Sequence, residues 1–114
     1  MSKDQETKYK IEKDKYFRSR GSKAKILQID CSKCGNNIAF YQKDGPGNLL
    51  RMYLDRIHAC ESVDGLTGIT NVAQLPTIKC SECGNVIAIP MLYEPEKRFA
   101  FRVVKGSVKK TKVA

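Results

Sequence analysis

The chain has 114 residues, of which 29% are charged and 41% hydrophobic, and its formal net charge is +9. This length allows one small domain, and a small domain buries too little surface for its hydrophobic core alone to stabilise it well. No apolar run reaches the roughly 18 residues of a transmembrane helix, and residues 1–25 are too polar and charged for a signal peptide. We therefore expect a cytoplasmic protein with reduced cysteines and an additional stabilising element, with no membrane partner.

The positive charge lies at the two ends of the chain. Residues 1–25 carry a net charge of +5 and residues 96–114 a net charge of +6, whereas residues 26–95 carry −2. Basic terminal segments are typical of chains that bind polyanions. We predict three parts: a basic, largely disordered N-terminal extension at 1–25, one domain at 26–106 with an inserted loop at 59–77, and a flexible basic tail at 107–114.

An internal repeat organises the domain. Residues 29–39 and 78–88 are identical at eight of eleven positions, and each copy contains a Cys-x-x-Cys-Gly-Asn motif. The same offset aligns Pro46 with Pro95. It also aligns the alternating apolar residues that follow each proline, which are Leu50, Met52 and Leu54 in the first copy and Phe99, Phe101 and Val103 in the second. Alternation is the period of a strand with one buried face.

The first copy predicts a strand at Asn37–Gln42, a turn at 43–48 and a returning antiparallel strand at Leu49–Ile57. The returning segment also fits helical spacing, and the repeat favours the strand. The Gly-rich turn carries Lys43 and could cradle a phosphate. It lacks the signature of a nucleotide-binding loop, so we interpret it as a hairpin turn.

The second copy predicts a strand at Val86–Tyr93, a turn at Glu94–Lys97 and a strand at Arg98–Val104. Pro90 lies inside the outgoing strand, which is compatible with an edge strand but not with a sheet centre. Between the copies, Gly and Pro residues predict a loop with one further strand near Ile69–Leu75. The predicted fold class is therefore all-β.

The two Cys-x-x-Cys motifs predict one metal site. Two intervening residues let both sulfurs of a motif reach a common ion, and a glycine directly after the second cysteine suits a backbone that needs positive φ. One motif supplies half a tetrahedron, so two similar hairpins complete it. The predicted ligands are Cys31, Cys34, Cys80 and Cys83.

These motifs resemble the knuckles of zinc-ribbon proteins, in which two β-hairpins each carry Cys-x-x-Cys-Gly and together bind one zinc ion. The resemblance covers roughly residues 29–104 and implies a single structural zinc at the four cysteines. The insertion of 45 residues between the cysteine pairs departs from that pattern. Rubredoxins, which bind iron at two similar knuckles and transfer electrons, are the alternative, although the basic ends of this chain disfavour it.

Two other residues are candidate ligands. His58 and Cys60 form a His-x-Cys pair, but a tetrahedral structural site is already complete with four cysteines. We expect Cys60 to pack beneath the insertion. No arrangement of nucleophile and base is evident, so we predict that the chain is not an enzyme.

The basic ends predict a nucleic-acid partner, because lysine and arginine neutralise phosphates and release counterions. RNA is the first choice, since such ends resemble the extensions of small ribosome-associated proteins, and Tyr9, Tyr16 and Phe17 could stack on bases. A merely solvated surface, or an accessory subunit of a polymerase or enzyme complex, are the alternatives. The candidate nucleic-acid-binding residues are Lys8, Lys10, Lys13, Lys15, Arg18, Arg20, Lys23, Lys25, Arg98, Arg102, Lys105, Lys109, Lys110 and Lys112.

Overall fold

The computed structural model describes residues 11–113, which form a mainly β protein, as the sequence predicted. One short helix, α1 (Lys15–Ser19), precedes the strands. The strands in chain order are β1 (Ala24–Cys31), β2 (Asn37–Asp44), β3 (Arg51–Tyr53), β4 (Ile57–His58), β5 (Ile78–Lys79), β6 (Val86–Tyr93), β7 (Arg98–Val103) and β8 (Val108–Lys112). Within the described range, no helix has the length and apolarity needed to span a bilayer.

The strands form two antiparallel sheets of four strands each. Sheet 1 has the order β4-β2-β1-β8, and sheet 2 has the order β3-β7-β6-β5. The principal core contains buried side chains from both sheets, among them Ile29, Tyr41, Met52, Ile87 and Phe101. The two repeat copies therefore share one core.

The hairpin of the first repeat copy differs from the prediction. β2 pairs with β1 from Ala24 opposite Asp44 to Asp30 opposite Asn37. The segment Leu49–Ile57 does not return along β2; it contains the short β3 and a 3-10 turn, and only β4 pairs with β2. The physical reason is that β1 buries alternate residues in the core. β1 therefore occupies the place beside β2 that was predicted for Leu49–Ile57.

The returning strands of the two copies pair with each other. β3 and β7 run antiparallel with Met52 opposite Phe101 and Arg51 opposite Arg102. Met52 and Phe101 are equivalent positions of the repeat. The residues on either side of them pair symmetrically, because the pair Arg51–Arg102 is equivalent to the pair Ala100–Tyr53. An approximate twofold axis therefore passes between Met52 and Phe101.

The second repeat copy forms the predicted hairpin. β6 and β7 pair from Ala88 opposite Val103 to Tyr93 opposite Arg98. Pro90 lies in β6, which has β5 on one side and β7 on the other. It is accommodated there because β5 pairs with β6 only as far as Ala88. At Pro90 the strand is paired only with β7, so the missing N–H is not needed by the sheet.

The insertion contains no strand near Ile69–Leu75, and this prediction was wrong. Val72–Gln74 is instead a single 3-10 turn. Asn71 caps it: its side chain accepts a hydrogen bond from the N–H of Ala73, while Gln74 reciprocates by accepting from the N–H of Asn71. Reciprocal capping of this kind stabilises a short helical turn where the alternation of a strand is absent.

The start of the described chain packs on both sheets. Asp14 caps α1, and its carboxylate lies 2.7 Å from the guanidinium of Arg56. Arg20 forms an ion pair of 2.9 Å with Glu96 in the β6–β7 turn. Residues 11–25, expected to be largely disordered, therefore include a helix, ion pairs and the beginning of β1.

The end of the chain also differs from the prediction. Residues 107–114 were expected to form a flexible tail, whereas β8 pairs with β1 from Leu27 opposite Lys112 to Cys31 opposite Val108. Ser107 is buried, and its hydroxyl donates to the carbonyl of Ile87 at 2.9 Å. A polar, lysine-rich sequence can form an edge strand because only one side of its backbone needs a partner.

Candidate functional site

Each Cys-x-x-Cys motif folds as a tight knuckle. In the first, the N–H of Gly35 donates to the carbonyl of Cys31 at 2.9 Å, and the N–H of Gly84 makes the same bond to Cys80 in the second. Both glycines have φ near +80°, at +82° and +79°. A Cβ at either would meet no atom within 4 Å, so these positions require glycine for backbone conformation rather than for space.

The knuckles bring the four predicted ligand sulfurs together. All four Sγ atoms lie within 4.8 Å of one another. Cys31 and Cys83 are 3.7 Å apart, and Cys34 and Cys80 are 3.5 Å apart. Tetrahedral zinc with bonds of about 2.3 Å places neighbouring sulfurs about 3.8 Å apart. The site therefore fits one metal ion with four thiolate ligands.

Two asparagines connect the knuckles to each other. The side-chain amide of Asn36 donates to Cys80 Sγ at 3.7 Å, and the amide of Asn85 donates to Cys31 Sγ at the same distance. Each knuckle thus donates a hydrogen bond to a cysteine of the other knuckle, and the two hydrogen bonds join equivalent positions of the repeat. Donors of this kind orient thiolate ligands and offset their charge. The two knuckles are therefore related to each other in an approximately twofold manner at the four-cysteine cluster.

The local backbone favours a thiolate at the first cysteine of each knuckle. The amide N–H of Cys34 is the largest influence that lowers the pKa of Cys31, to about 6. The N–H of Cys83 likewise lowers the pKa of Cys80. At Cys34 the N–H of Asn36 acts in the same direction, but the neighbouring thiol of Cys80 and burial outweigh it and raise the pKa to about 12. Four adjacent thiols ionise together only with a cation among them.

Cys60 and His58 do not belong to this cluster. Cys60 is 1% exposed and packs in the core with Val63 and Leu75 of the insertion, where burial raises the pKa of its thiol. This agrees with the structural interpretation of Cys60. His58 pairs with Phe40 between β4 and β2, and burial lowers its pKa.

The predicted nucleic-acid-binding residues fall into three groups. Lys8 and Lys10 lie outside the described residues. Arg98 and Arg20 form ion pairs with carboxylates, and Lys25 is partly buried. The exposed members are Lys13, Lys15, Arg18, Lys23, Arg102, Lys105, Lys109, Lys110 and Lys112.

Arg98 has a structural role. It is 6% exposed, pairs with Asp55 at 2.9 Å and with Glu96 at 3.1 Å, and lies over the rings of Tyr16 and Tyr53. These contacts occupy its guanidinium group. Of the aromatic residues expected to meet bases, Tyr9 lies outside the described residues, Phe17 is buried, and Tyr16 stacks on Arg98.

Two charged residues that were not among the predicted site residues have clear structural consequences. Arg56 is 1% exposed and contacts the carboxylates of Asp14 and Asp44. Lys43, interpreted as a turn residue, donates from Nζ to the carbonyls of its own loop and lies directly opposite Lys25. Only the pairing of β1 with β2, which the sequence did not indicate, could have identified Lys43 as part of a charged surface.

The fold and the site define a mainly β protein whose two halves meet at a four-cysteine centre suited to a metal ion. Comparison of the chain with protein-family models, with curated proteins and with solved structures found no match.

Proposed function

We propose that this chain is a structural-zinc protein of zinc-ribbon type that binds nucleic acid, with RNA as the partner. The four thiolates favour zinc, because tetrahedral sulfur coordination suits this ion and leaves no open position for catalysis. The metal would be a structural element. A reducing compartment such as the cytoplasm keeps these cysteines available as ligands.

The pairing of β8 with β1 is the observation that carries this proposal. The sequence shows two basic ends separated by an acidic middle, and strand pairing brings Lys25 into the same sheet as Lys109, Lys110 and Lys112, with Lys23 immediately before β1. A rigid sheet that concentrates cations gains free energy from counterion release when it binds a polyanion. The preference for RNA rests on the resemblance to basic ribosome-associated proteins.

The test is fluorescence anisotropy of the purified full chain with a labelled oligouridylate and with a thymidylate of the same length, over a series of salt concentrations. We expect binding of the RNA that weakens steeply with salt, because phosphate contacts release counterions. No binding at low salt would refute the nucleic-acid function. Equal or tighter binding of the DNA would refute the preference for RNA.

A ribosome-associated role predicts a second result. The tagged chain recovered from lysate should carry ribosomal components that nuclease treatment releases. Nuclease-resistant association with a polymerase or an enzyme complex would favour the alternative, an accessory subunit that binds protein.

A further inference from the structure

A groove of about 610 Å³ lies where the beginning of β1, the turn after β2 and the end of β8 meet. Apart from basic residues, only glycine, alanine and proline line this groove, and no acidic residue lines it. The five basic residues that line it are Arg20, Lys23, Lys25, Lys43 and Lys112.

Three of these lysines lie on one face of sheet 1. Lys43 on β2 is directly opposite Lys25 on β1, and Lys112 on β8 is opposite Leu27, two residues farther along β1. Alternate residues of a strand share a face, so the three side chains form a row across three adjacent strands. Neighbouring strands are about 4.8 Å apart, so an extended polyanion crossing them would meet these cations in succession.

No ion pair neutralises the groove lysines within the described part of the chain. Among residues 11–113, the ion pairs include Arg20 but none of the four groove lysines. The adjacent acid, Asp44, is 3.0 Å from Arg56 and also accepts from Gln42. Burial lowers the pKa of Lys43, the charges of Lys25 and Arg20 lower it further, and the charge of Asp44 opposes them without reversing the shift.

This arrangement opposes folding stability. Like charges directly opposite each other in an antiparallel pair are destabilising, and Lys25 opposite Lys43 is such a pair. A bound anion would remove the repulsion. Local arrangements that oppose stability are expected where a protein binds a ligand.

We propose that this groove binds the phosphodiester backbone of RNA, with Lys23, Lys25 and Lys112 as the phosphate contacts and Lys43 supplying charge from the rim. The inference rests on the proposed function and specifies its surface. The diagonal row of cations across three strands and the absence of acidic lining favour an extended polyanion over a compact anion.

The experiment compares two triple variants of the full chain that lose the same charge. The groove variant carries Lys23→Ala, Lys25→Ala and Lys112→Ala. The control variant carries Lys33→Ala, Lys79→Ala and Lys97→Ala, which are exposed lysines outside the groove. Zinc content and circular dichroism establish that each variant is folded.

We expect the groove variant to bind labelled oligouridylate at least tenfold more weakly than wild type at low salt. The slope of log affinity against log salt should fall by about 2, since each contact with a single strand contributes about 0.7. The control variant should stay within threefold of wild type. Equal losses in the two variants, or an unaffected groove variant, would overturn the groove assignment while leaving RNA binding intact.

Two further measurements separate this proposal from related ones. If wild type does not bind the oligouridylate at all, the proposed function fails and the groove assignment fails with it. If the groove variant instead loses affinity only for phosphatidylserine-containing vesicles, the groove binds a membrane surface and the RNA assignment is overturned.

The single change Lys25→Thr should weaken RNA binding while raising the urea midpoint of unfolding, because it relieves the repulsion with Lys43. A lower midpoint would contradict the argument from like charges.

Discussion

Met52 and Phe101 are cross-strand partners in sheet 2, and both are completely buried. They are also equivalent positions of the sequence repeat, so each half of the protein contributes the equivalent residue to this contact. Equivalent cysteines of the two copies likewise meet in the four-cysteine cluster. The two halves are therefore joined at two places, by this apolar contact and by the four-cysteine cluster.

The apolar contact predicts energetic coupling between the halves. Met52→Ala and Phe101→Ala should each lower the free energy of unfolding by about 2–5 kcal/mol, because each creates a cavity in the core. In urea unfolding, the double variant should be less destabilised than the sum of the singles by about 0.5–3 kcal/mol. Met52→Ala combined with Ile26→Ala, which lies outside the principal core, should be additive. Full additivity of Met52 and Phe101 would show that the two side chains do not support each other.

Arg56 predicts a large effect from a residue outside the candidate sites. Replacing it by alanine leaves the carboxylate of Asp44, 5% exposed, without its cation. Removing one partner of a buried ion pair costs about 3–5 kcal/mol. Arg102→Ala, at an exposed arginine, should change the free energy of unfolding by less than about 0.5 kcal/mol. Comparable small effects of both changes in urea unfolding would contradict the buried network.

Asp14 predicts sensitivity to acid. Its hydrogen bond with Arg56 lowers the pKa of the carboxyl from 3.8 to about 2. A carboxyl with a lowered pKa in the folded state stabilises the fold above its unfolded pKa, and this stability is lost as pH falls from about 4 to about 2. Asp14→Asn should lower the thermal midpoint at neutral pH and flatten its decline over this range. Parallel curves for the variant and wild type would show that Asp14 has no such linkage.

Gly45 tests the packing of the N-terminal segment against the turn after β2. It has φ of +73°, and an added Cβ would lie 2.9 Å from the carbonyl oxygen of Arg20. Gly47 has φ of +105° but an added Cβ there meets nothing within 4 Å. Both alanine substitutions should incur backbone strain, and Gly45→Ala should be more destabilising by about 1–3 kcal/mol because of the clash. Equal unfolding free energies for the two variants would argue that Arg20 is not held against this turn.

The sequence predicted the parts of the structure that depend on short stretches of chain. The knuckles follow from the spacing of two cysteines and a glycine, and the β6–β7 hairpin follows from alternation around a turn. The missed features depend on distant partners. Arg56 is an ordinary surface residue in the sequence until Asp14, 42 positions away, lies against it. Likewise, Lys109, Lys110 and Lys112 indicate a solvated tail in the sequence, and only the pairing of β8 with β1 shows that they belong to a strand.

The same limit applies to the candidate sites. The clustering of the four cysteines was predicted because each knuckle is local and the repeat supplies its partner. Lys43 was not among the predicted cations, since its relation to Lys25 depends on the register of β1 along β2. Arg98 was chosen for its charge, and its burial between two tyrosines depends on the packing of α1 on sheet 2.

Metal analysis of the purified chain and its cysteine variants tests whether one zinc ion holds the two halves together. We expect one zinc ion per wild-type chain and per Cys60→Ser chain, and loss of both zinc and folded structure in Cys31→Ser and Cys80→Ser. Metal binding to a small structural site contributes on the order of 10 kcal/mol, comparable to the whole stability of a domain, so its loss should unfold the protein. A wild-type chain that folds without metal, or a Cys80→Ser chain that retains one zinc ion, would contradict the account.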